Sequence, residues 1–297
     1  MESTILFGNG INLLGGGKTW NKILMDISDK AFLPPIHSNT LKYEYIILPQ
    51  DEMAHAKLMT ADGHLLTTSD GKILRVTVNT EDSLKRELCH KLKEGKPSYF
   101  YKMLTELNVN HYITTNYELF LNNSFIENGF VLKINDQESR LYKHELFESN
   151  NRSVDVWNIH GDINNEKSIM LGLSDYCKYV AEIDRYLNLE EDKKGQSWID
   201  LLFNTDVHIV GLGMAYEEID LWNVLTTRMR MKRKDENSCK NKIYYYAIQD
   251  ELFDTGKKKL LEAMGVEVVD ISFDWSDEAY KKAYNDIYEI LLKIIMK

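Results

Sequence analysis

The chain has 297 residues and a formal net charge of −10: enough for one large or two modest domains with a sizeable core, and too acidic overall for a protein whose main task is to grip nucleic acid, so direct nucleic-acid binding is not expected. A hydrophobic fraction of 43% beside 28% charged residues is that of an ordinary soluble globular protein, and only four prolines argue against long disordered linkers. The three cysteines, Cys89, Cys177 and Cys239, lie far apart and form no C-x-x-C pair, which excludes a zinc site built on paired thiolates and argues against a disulfide framework.

Such cysteine usage suits a reducing cytosol. No run is long and apolar enough to cross a membrane, and Met1-Glu2-Ser3-Thr4 lacks the basic start of a secretory signal. A cytoplasmic protein without membrane association is expected.

Residues 4–7 are a short apolar run ending at glycine, the pattern of a buried parallel strand. A helix is predicted over about 19–27, with Trp20, Ile23, Leu24 and Ile27 on one face, and Pro34-Pro35 closes this unit. The pattern then changes. A short helix is expected over 51–59, a hairpin in "HLLTTSDGKILRVTV" around its Asp-Gly turn, and a helix over 81–93 where leucines recur at helical spacing. Residues 31–97 therefore read as a small inserted subdomain within a single domain spanning 1–297.

The α/β rhythm resumes with a helix over about 98–107 and a strand in "VNHYITTNY". A helix over 118–127 stops before Gly129, placed as a C′ glycine. Strands follow in "FVLKI" and "VDVWNIHG", then helices near 174–187 and 196–203. "DVHIVGLG" is the clearest strand, being apolar, β-branched and ended by Gly-x-Gly. Helix 216–232, strand "KIYYYAI", helix 255–264, strand "VEVVD" and a last helix near 277–296 complete the chain. Strands alternating with helices imply an α/β, Rossmann-like, mainly parallel sheet with helices on both faces, carrying a small zinc-free inserted subdomain.

In such sheets ligands sit outside the carboxyl ends of the strands, and four of those ends are polar or glycine-rich. The first is Gly8-Asn9-Gly10-Ile11-Asn12, followed by Gly16-Gly17-Lys18-Thr19. A Walker loop needs glycine where the chain has Asn12, and the third glycine of a dinucleotide fingerprint falls on Leu13. Neither motif is met, so the loop is either a close backbone approach to a phosphate or a plain connector. Gly16–Thr19 reads as the run-in to the first helix, with Trp20 packed beneath it.

The second end, Thr114-Thr115-Asn116-Tyr117-Glu118, is either a polar site or the cap of the next helix. The third, Ile159-His160-Gly161-Asp162, puts a histidine where a general base would sit; the alternative is a turn histidine without a role, as His111 and His208 also lie beside strands. Asp162 either orients His160 or shapes the turn. The fourth, Gly211-Leu212-Gly213-Met214, opens the helix that carries Glu217, Glu218 and Asp220. Those acids complement the amino terminus of that helix, and its basic tail "RMRMKRK" complements the other end.

Taken in order, Gly-x-Gly, T-T-N, H-G and Gly-x-Gly resemble the sirtuin superfamily, and most closely the zinc-free, sirtuin-like NAD hydrolases of bacterial antiphage defence. The resemblance covers about residues 5–225 apart from the insertion. Gly8-Asn9-Gly10-Ile11-Asn12 is similar to the first glycine-rich NAD loop, with Asn12 where deacylating sirtuins usually have serine, and Trp20 to the tryptophan that follows that loop. Thr115-Asn116-Tyr117-Glu118 resembles the Q-N-I-D element, with threonine for glutamine and glutamate for aspartate. His160-Gly161 resembles the catalytic histidine and its glycine, and Gly211-Leu212-Gly213 the loop that holds the adenosine ribose. The zinc cysteines of deacylating sirtuins are absent and the Q-N-I-D element is altered, and both departures speak against deacylation.

The resemblance implies that NAD is bound as a substrate by Gly8, Asn9, Gly10, Asn12, Thr115, Glu118, Gly161, Gly211, Leu212 and Gly213, without a metal. It implies Asn116 and His160 as catalytic residues, the first holding the attacking water and a ribose hydroxyl, the second contacting ribose hydroxyls and serving as base. A homo-oligomer, or a partner such as a HerA-type ring ATPase or another defence component, is also implied, with 31–97 and helix 216–232 as contact surfaces. The competing readings are ADP-ribosyl transfer or deacylation to another acceptor, and a non-catalytic NAD-sensing subunit of a larger assembly.

Overall fold

A computed structural model of the chain describes residues 2–28, 33–47, 64–67, 73–76, 81–134, 139–189, 196–248, 255–273 and 276–295. Its strands are β1 (Ser3–Phe7), β2 (His64–Thr67), β3 (Ile73–Val76), β4 (His111–Thr114), β5 (Val131–Ile134), β6 (Glu145–Ser149), β7 (Arg152–Asn158), β8 (Asp206–Val210), β9 (Ile243–Ile248) and β10 (Val266–Ile271). The helices are α1 (Gly10–Leu13), α2 (Trp20–Ile27), α3 (Asn39–Ile47), α4 (Glu81–Lys93), α5 (Tyr99–Glu106), α6 (Phe120–Glu127), α7 (Leu173–Leu187), α8 (Trp198–Asn204), α9 (Ile219–Lys234), α10 (Thr255–Ala263) and α11 (Asp277–Ile295).

An eight-stranded sheet runs in the order β10-β9-β8-β1-β4-β7-β6-β5. The run from β10 to β7 is parallel, and β6 and β5 extend it antiparallel. Because side chains alternate across a strand, each parallel strand feeds two cores. Leu6, Ile113, Trp157 and Ile209 pack with α7, α8 and α9, whereas Ile5, Phe7, Tyr112, Val156 and Val210 pack with α5, α6 and α11. Full burial of each such side chain contributes roughly 1.5–3 kcal/mol, which is why these strands read as continuous apolar runs. The expected mainly parallel α/β fold is the one observed.

A third core lies over the carboxyl ends of the strands. There Ile23 and Leu24 of α2, Tyr43 and Ile46 of α3, and Leu84, Leu88 and Leu92 of α4 meet Tyr117, Ile169 and Leu171. Helices α3 and α4, in the segment expected to form an insertion, thus share one core with α2 and with the loops that follow β4 and β7. The hairpin is present as β2 and β3, paired antiparallel with Thr67 opposite Ile73. Its Asp-Gly turn and the helix expected over 51–59 lie outside the described residues.

Several expectations need correction. Strand β6 was not foreseen, because "ELFES" has one buried residue, Phe147, among partly exposed ones and so carries no apolar run. The first glycine loop is not open: Gly10–Leu13 forms the short helix α1. Helix α6 starts at Phe120 and its Leu119 cap position has no side-chain cap bond, so neither Thr115 nor Asn116 caps it. Helix α9 starts at Ile219, three residues later than expected. In its basic tail Arg228 is buried and donates to the Asn241 carbonyl at 2.5 Å and to Asn241 Oδ1 at 2.8 Å, whereas Lys232, Arg233 and Lys234 occupy the last turn as expected. Gly129 has the expected left-handed conformation, φ 84°.

The topology says where to look for a site. From β1 the chain crosses to β4, and from β8 it crosses to β9, in opposite directions along the sheet, although β1 and β8 are neighbours. The crevice outside the carboxyl ends of these two strands is the topological switch point, the usual ligand position in an open α/β sheet.

Candidate active site at the switch point

Two glycine loops meet at this crevice. The Gly8 amide donates to the Val210 carbonyl at 3.2 Å, and the Gly10 amide to the Gly211 carbonyl at 2.7 Å. A Cβ on Gly10 would stand 2.7 Å from the Gly211 carbonyl oxygen and 2.6 Å from the Tyr284 hydroxyl; one on Gly8 would stand 2.6 Å from Leu212. These glycines are needed first for the approach of one loop to the other. The next glycines fold back on Asn12, whose carbonyl accepts from the amides of Gly15 at 3.0 Å and Gly17 at 2.9 Å. The stretch that mimics a P-loop is therefore a wrapped turn around Asn12.

A buried polar chain ties the first loop to the loop after β4. Asn116 Nδ2 donates to the Tyr101 hydroxyl at 3.2 Å, and that hydroxyl donates to Asn12 Oδ1 at 2.6 Å. Asn12 Nδ2 then reaches Asn9 Oδ1 at 2.9 Å and Glu118 Oε1 at 3.1 Å. Burial raises the Glu118 carboxyl above its usual range, partly offset by a bond to its own backbone amide and by Asn12. Four residues expected in the site are thus joined, Asn9 and Glu118 directly to Asn12 and Asn116 to it through Tyr101. Sequence reasoning missed Tyr101, which sits on the apolar face of α5 among core residues and carries no polar signal.

His160 belongs to a different cluster. Its Nε2 lies 2.7 Å from Asp220 Oδ2 and 3.9 Å from Glu218 Oε2, and Asp220 is completely buried. Burial works to lower the imidazole pKa, but the charge and hydrogen bond of Asp220, together with Glu218, raise it on balance above the ordinary histidine value. With Nε2 engaged, Nδ1 is the nitrogen left to face a ligand, since it makes no hydrogen bond among the described residues. Glu218 is pushed up to about 7, by burial first; His160 lowers it while Asp220 and Glu217 raise it. Asp162 does not orient His160. It pairs with Lys143 at 3.1 Å and accepts from the Asn164 amide at 2.9 Å, which is the turn-shaping role.

Gly161 has φ 92°, and a Cβ there would fall 2.1 Å from the Ser168 carbonyl oxygen. Its conformation, rather than open space above it, accounts for the glycine. On the loop after β8, Met214 is buried at φ 45°, a left-handed backbone that costs a side-chain-bearing residue of order 1–3 kcal/mol and that clusters at functional sites.

Two cavities open at the crevice. One of about 150 Å³ is lined by His160, Glu218, Thr115, Tyr117, Trp20, Gly10 and the Gly211–Gly213 loop; the other, about 370 Å³, by Asn12, Glu118, Phe120 and Gly15–Lys18, and Asn9 lines both. Trp20 meets Tyr117 edge-on at 5.2 Å. Gly8, Asn116 and Gly161 line neither cavity. A further cavity, about 770 Å³, is lined by Gly161 and Asp162 together with Arg140, Lys143 and Arg185, and by none of the residues expected to bind NAD other than Gly161.

His160, Glu218 and Asp220 are the described residues whose metal-ligating atoms lie within 4.8 Å of one another. The 2.7 Å His160–Asp220 distance is that of a hydrogen bond; two ligands of a tetrahedral zinc at about 2.0–2.1 Å would stand roughly 3.3 Å apart. Among the described residues no helix is long and apolar enough to cross a membrane.

A search of curated proteins finds no match to this chain. The family model of the SIR2-like domain matches residues 110–269, more than half of the chain. The span runs from the start of β4 almost to the end of β10 and contains Asn116, His160, Gly211–Gly213, Glu218 and Asp220. The Gly8–Asn12 loop lies ahead of it and reaches the site through the pairing of β1 with β4 and β8. The chain belongs to the SIR2-like family, whose domains bind NAD and are NAD-dependent enzymes.

Proposed function

We propose that the protein is an NAD glycohydrolase, cleaving the nicotinamide–ribose bond to give nicotinamide and ADP-ribose. The observation that carries this reading is the convergence, at one switch point, of His160 held by Asp220 and an amide-rich chain running from Asn116 through Tyr101 to Asn12. The leaving group departs neutral from a cationic precursor, so the transition state resembles an oxocarbenium ion. Catalysis then consists of positioning the ribose, supplying water and stabilising positive charge.

In this reading Asn116 holds the water and a ribose hydroxyl, His160 Nδ1 meets the ribose hydroxyls, the Gly8–Asn12 loop takes the pyrophosphate and the Gly211–Gly213 loop the adenosine ribose. Glu118 is a polar neighbour that keeps Asn12 oriented. Three scattered cysteines cannot build the thiolate zinc module of deacylating sirtuins, which favours water over an acyl-lysine as partner. We further propose a cytoplasmic effector of antiphage defence that depletes NAD as a homo-oligomer or under a partner such as a HerA-type ATPase. The test is nicotinamide release from NAD, followed by chromatography, for the parent and for His160→Ala and Asn116→Ala; the assignment is wrong if both variants match the parent.

A further inference from the structure

Glu218 occupies the N-cap position of α9, where an acidic residue ordinarily accepts from the helix amides. It does not do so: its side chain makes no cap bond. Its Oε2 atom is buried, has no hydrogen-bond partner among the described residues, and lies 3.9 Å from His160 Nε2. Asp220 Oδ1 is likewise buried without a partner. An unpaired buried carboxylate oxygen is costly, so two of them beside His160 call for an explanation beyond folding.

Glu218 belongs to the wall of the smaller cavity, which it shares with Glu217 and the rings of Trp20, Tyr117 and Tyr176, and no lysine or arginine is among the described lining residues. His160, the one basic side chain among the described lining residues, is engaged by Asp220, and the remaining carboxylates and aromatic faces form a site for a cation.

Resting on the glycohydrolase reading, we infer that Glu218 is a catalytic carboxylate that faces the ribosyl carbon of NAD and stabilises its positive charge. As the bond between C1′ and the nicotinamide nitrogen breaks, the electron pair leaves with the nitrogen and neutralises the ring. The positive charge moves to C1′ and the ring oxygen of the ribose, opposite Glu218. Water then adds to C1′ and its proton passes to the Glu218 carboxylate and on to solvent, so NAD and water give nicotinamide, ADP-ribose and one proton. Asp220, which contacts His160 and not the cavity, is a positioning residue.

The same wall discriminates between redox forms, because NAD carries a cationic ring and NADH a neutral one. The experiment measures nicotinamide release together with the binding of NAD and NADH for the parent, Glu218→Gln and Glu218→Asp. The expected result is an NAD preference of about tenfold in the parent, lost in Glu218→Gln, with turnover down about 10²-fold in that isosteric variant and partly restored in Glu218→Asp. Equal turnover and an unchanged NAD-to-NADH ratio in Glu218→Gln would overturn the inference while leaving the glycohydrolase reading intact. A parent that neither binds NAD nor releases nicotinamide would overturn both. Stoichiometric zinc in the purified protein, lost in Glu218→Gln, would reassign the cluster as a metal site and overturn the inference alone.

Discussion

His160 Nε2 lies 2.7 Å from Asp220 Oδ2, and the two side chains come from the ends of different elements, the loop after β7 and the first turn of α9. This pair chooses which nitrogen of the imidazole faces the cavity. Asp220→Asn keeps the shape but removes the charge that holds the ring, and turnover is expected to fall on the order of 10²-fold. Burial then prevails and the His160 pKa drops below its ordinary value, a shift to be followed by NMR titration. The raised value in the parent means that the pair stabilises the fold fully below the unfolded histidine value and loses that contribution as pH rises through the folded one. Denaturant unfolding of parent and Asp220→Asn should therefore differ more at pH 6 than at pH 9.

Glu218 has the opposite stability signature. Its folded pKa is raised from 4.5 to about 7, so the fold loses stability as pH rises from the unfolded value through 7. Glu218→Gln should match the parent near pH 4, where the carboxyl is protonated in both states. Above pH 7.5 it should exceed the parent by about 3 kcal/mol. The groups facing this carboxylate are His160, Asp220, Glu217, Tyr117 and Tyr176. Greater stability with lower activity is the expected combination, and urea midpoints at the two pH values measure it.

Tyr101→Phe removes one hydroxyl that serves two amide side chains, Asn116 and Asn12. Each amide loses a buried partner, at about 1–3 kcal/mol in total. Because Asn116→Ala breaks the same chain, the double variant should lose less activity than the product of the single losses. Multiplicative losses would mean that the two residues act independently.

The glycines separate close packing from ligand contact. Gly10→Ala brings a methyl group against the Gly211 carbonyl and should destabilise the fold by about 1–3 kcal/mol. A Cβ on Gly213 meets nothing within 4 Å, so Gly213→Ala should unfold like the parent. If the loop takes the adenosine ribose, this variant weakens NAD binding without any change in melting temperature. Calorimetry paired with NAD titration reads both effects.

The parallel sheet was legible because its strands are buried on both faces and read as apolar runs such as Asp206–Val210. The switch-point loops were legible from glycine and polar residues at strand ends, whose order resembled one family. Strand β6 was not, since one buried Phe147 carries no pattern. The roles of Glu218 and Asp220 were hidden for another reason: acids at a helix start are expected on electrostatic grounds, and only the packing of α9 against the β7 loop turns them onto His160. Tyr101 was invisible among apolar neighbours. Of the two roles left open for Asp162, turn shaping holds, because the left-handed Gly161 turns the chain away from the histidine.

The most direct test of the central claim is nicotinamide released from NAD by the purified chain, with any activating partner present, compared with the His160→Ala variant. The account predicts steady release by the parent, accompanied by ADP-ribose, and a loss on the order of 10²-fold or more in the variant. Equal release by both proteins would contradict it.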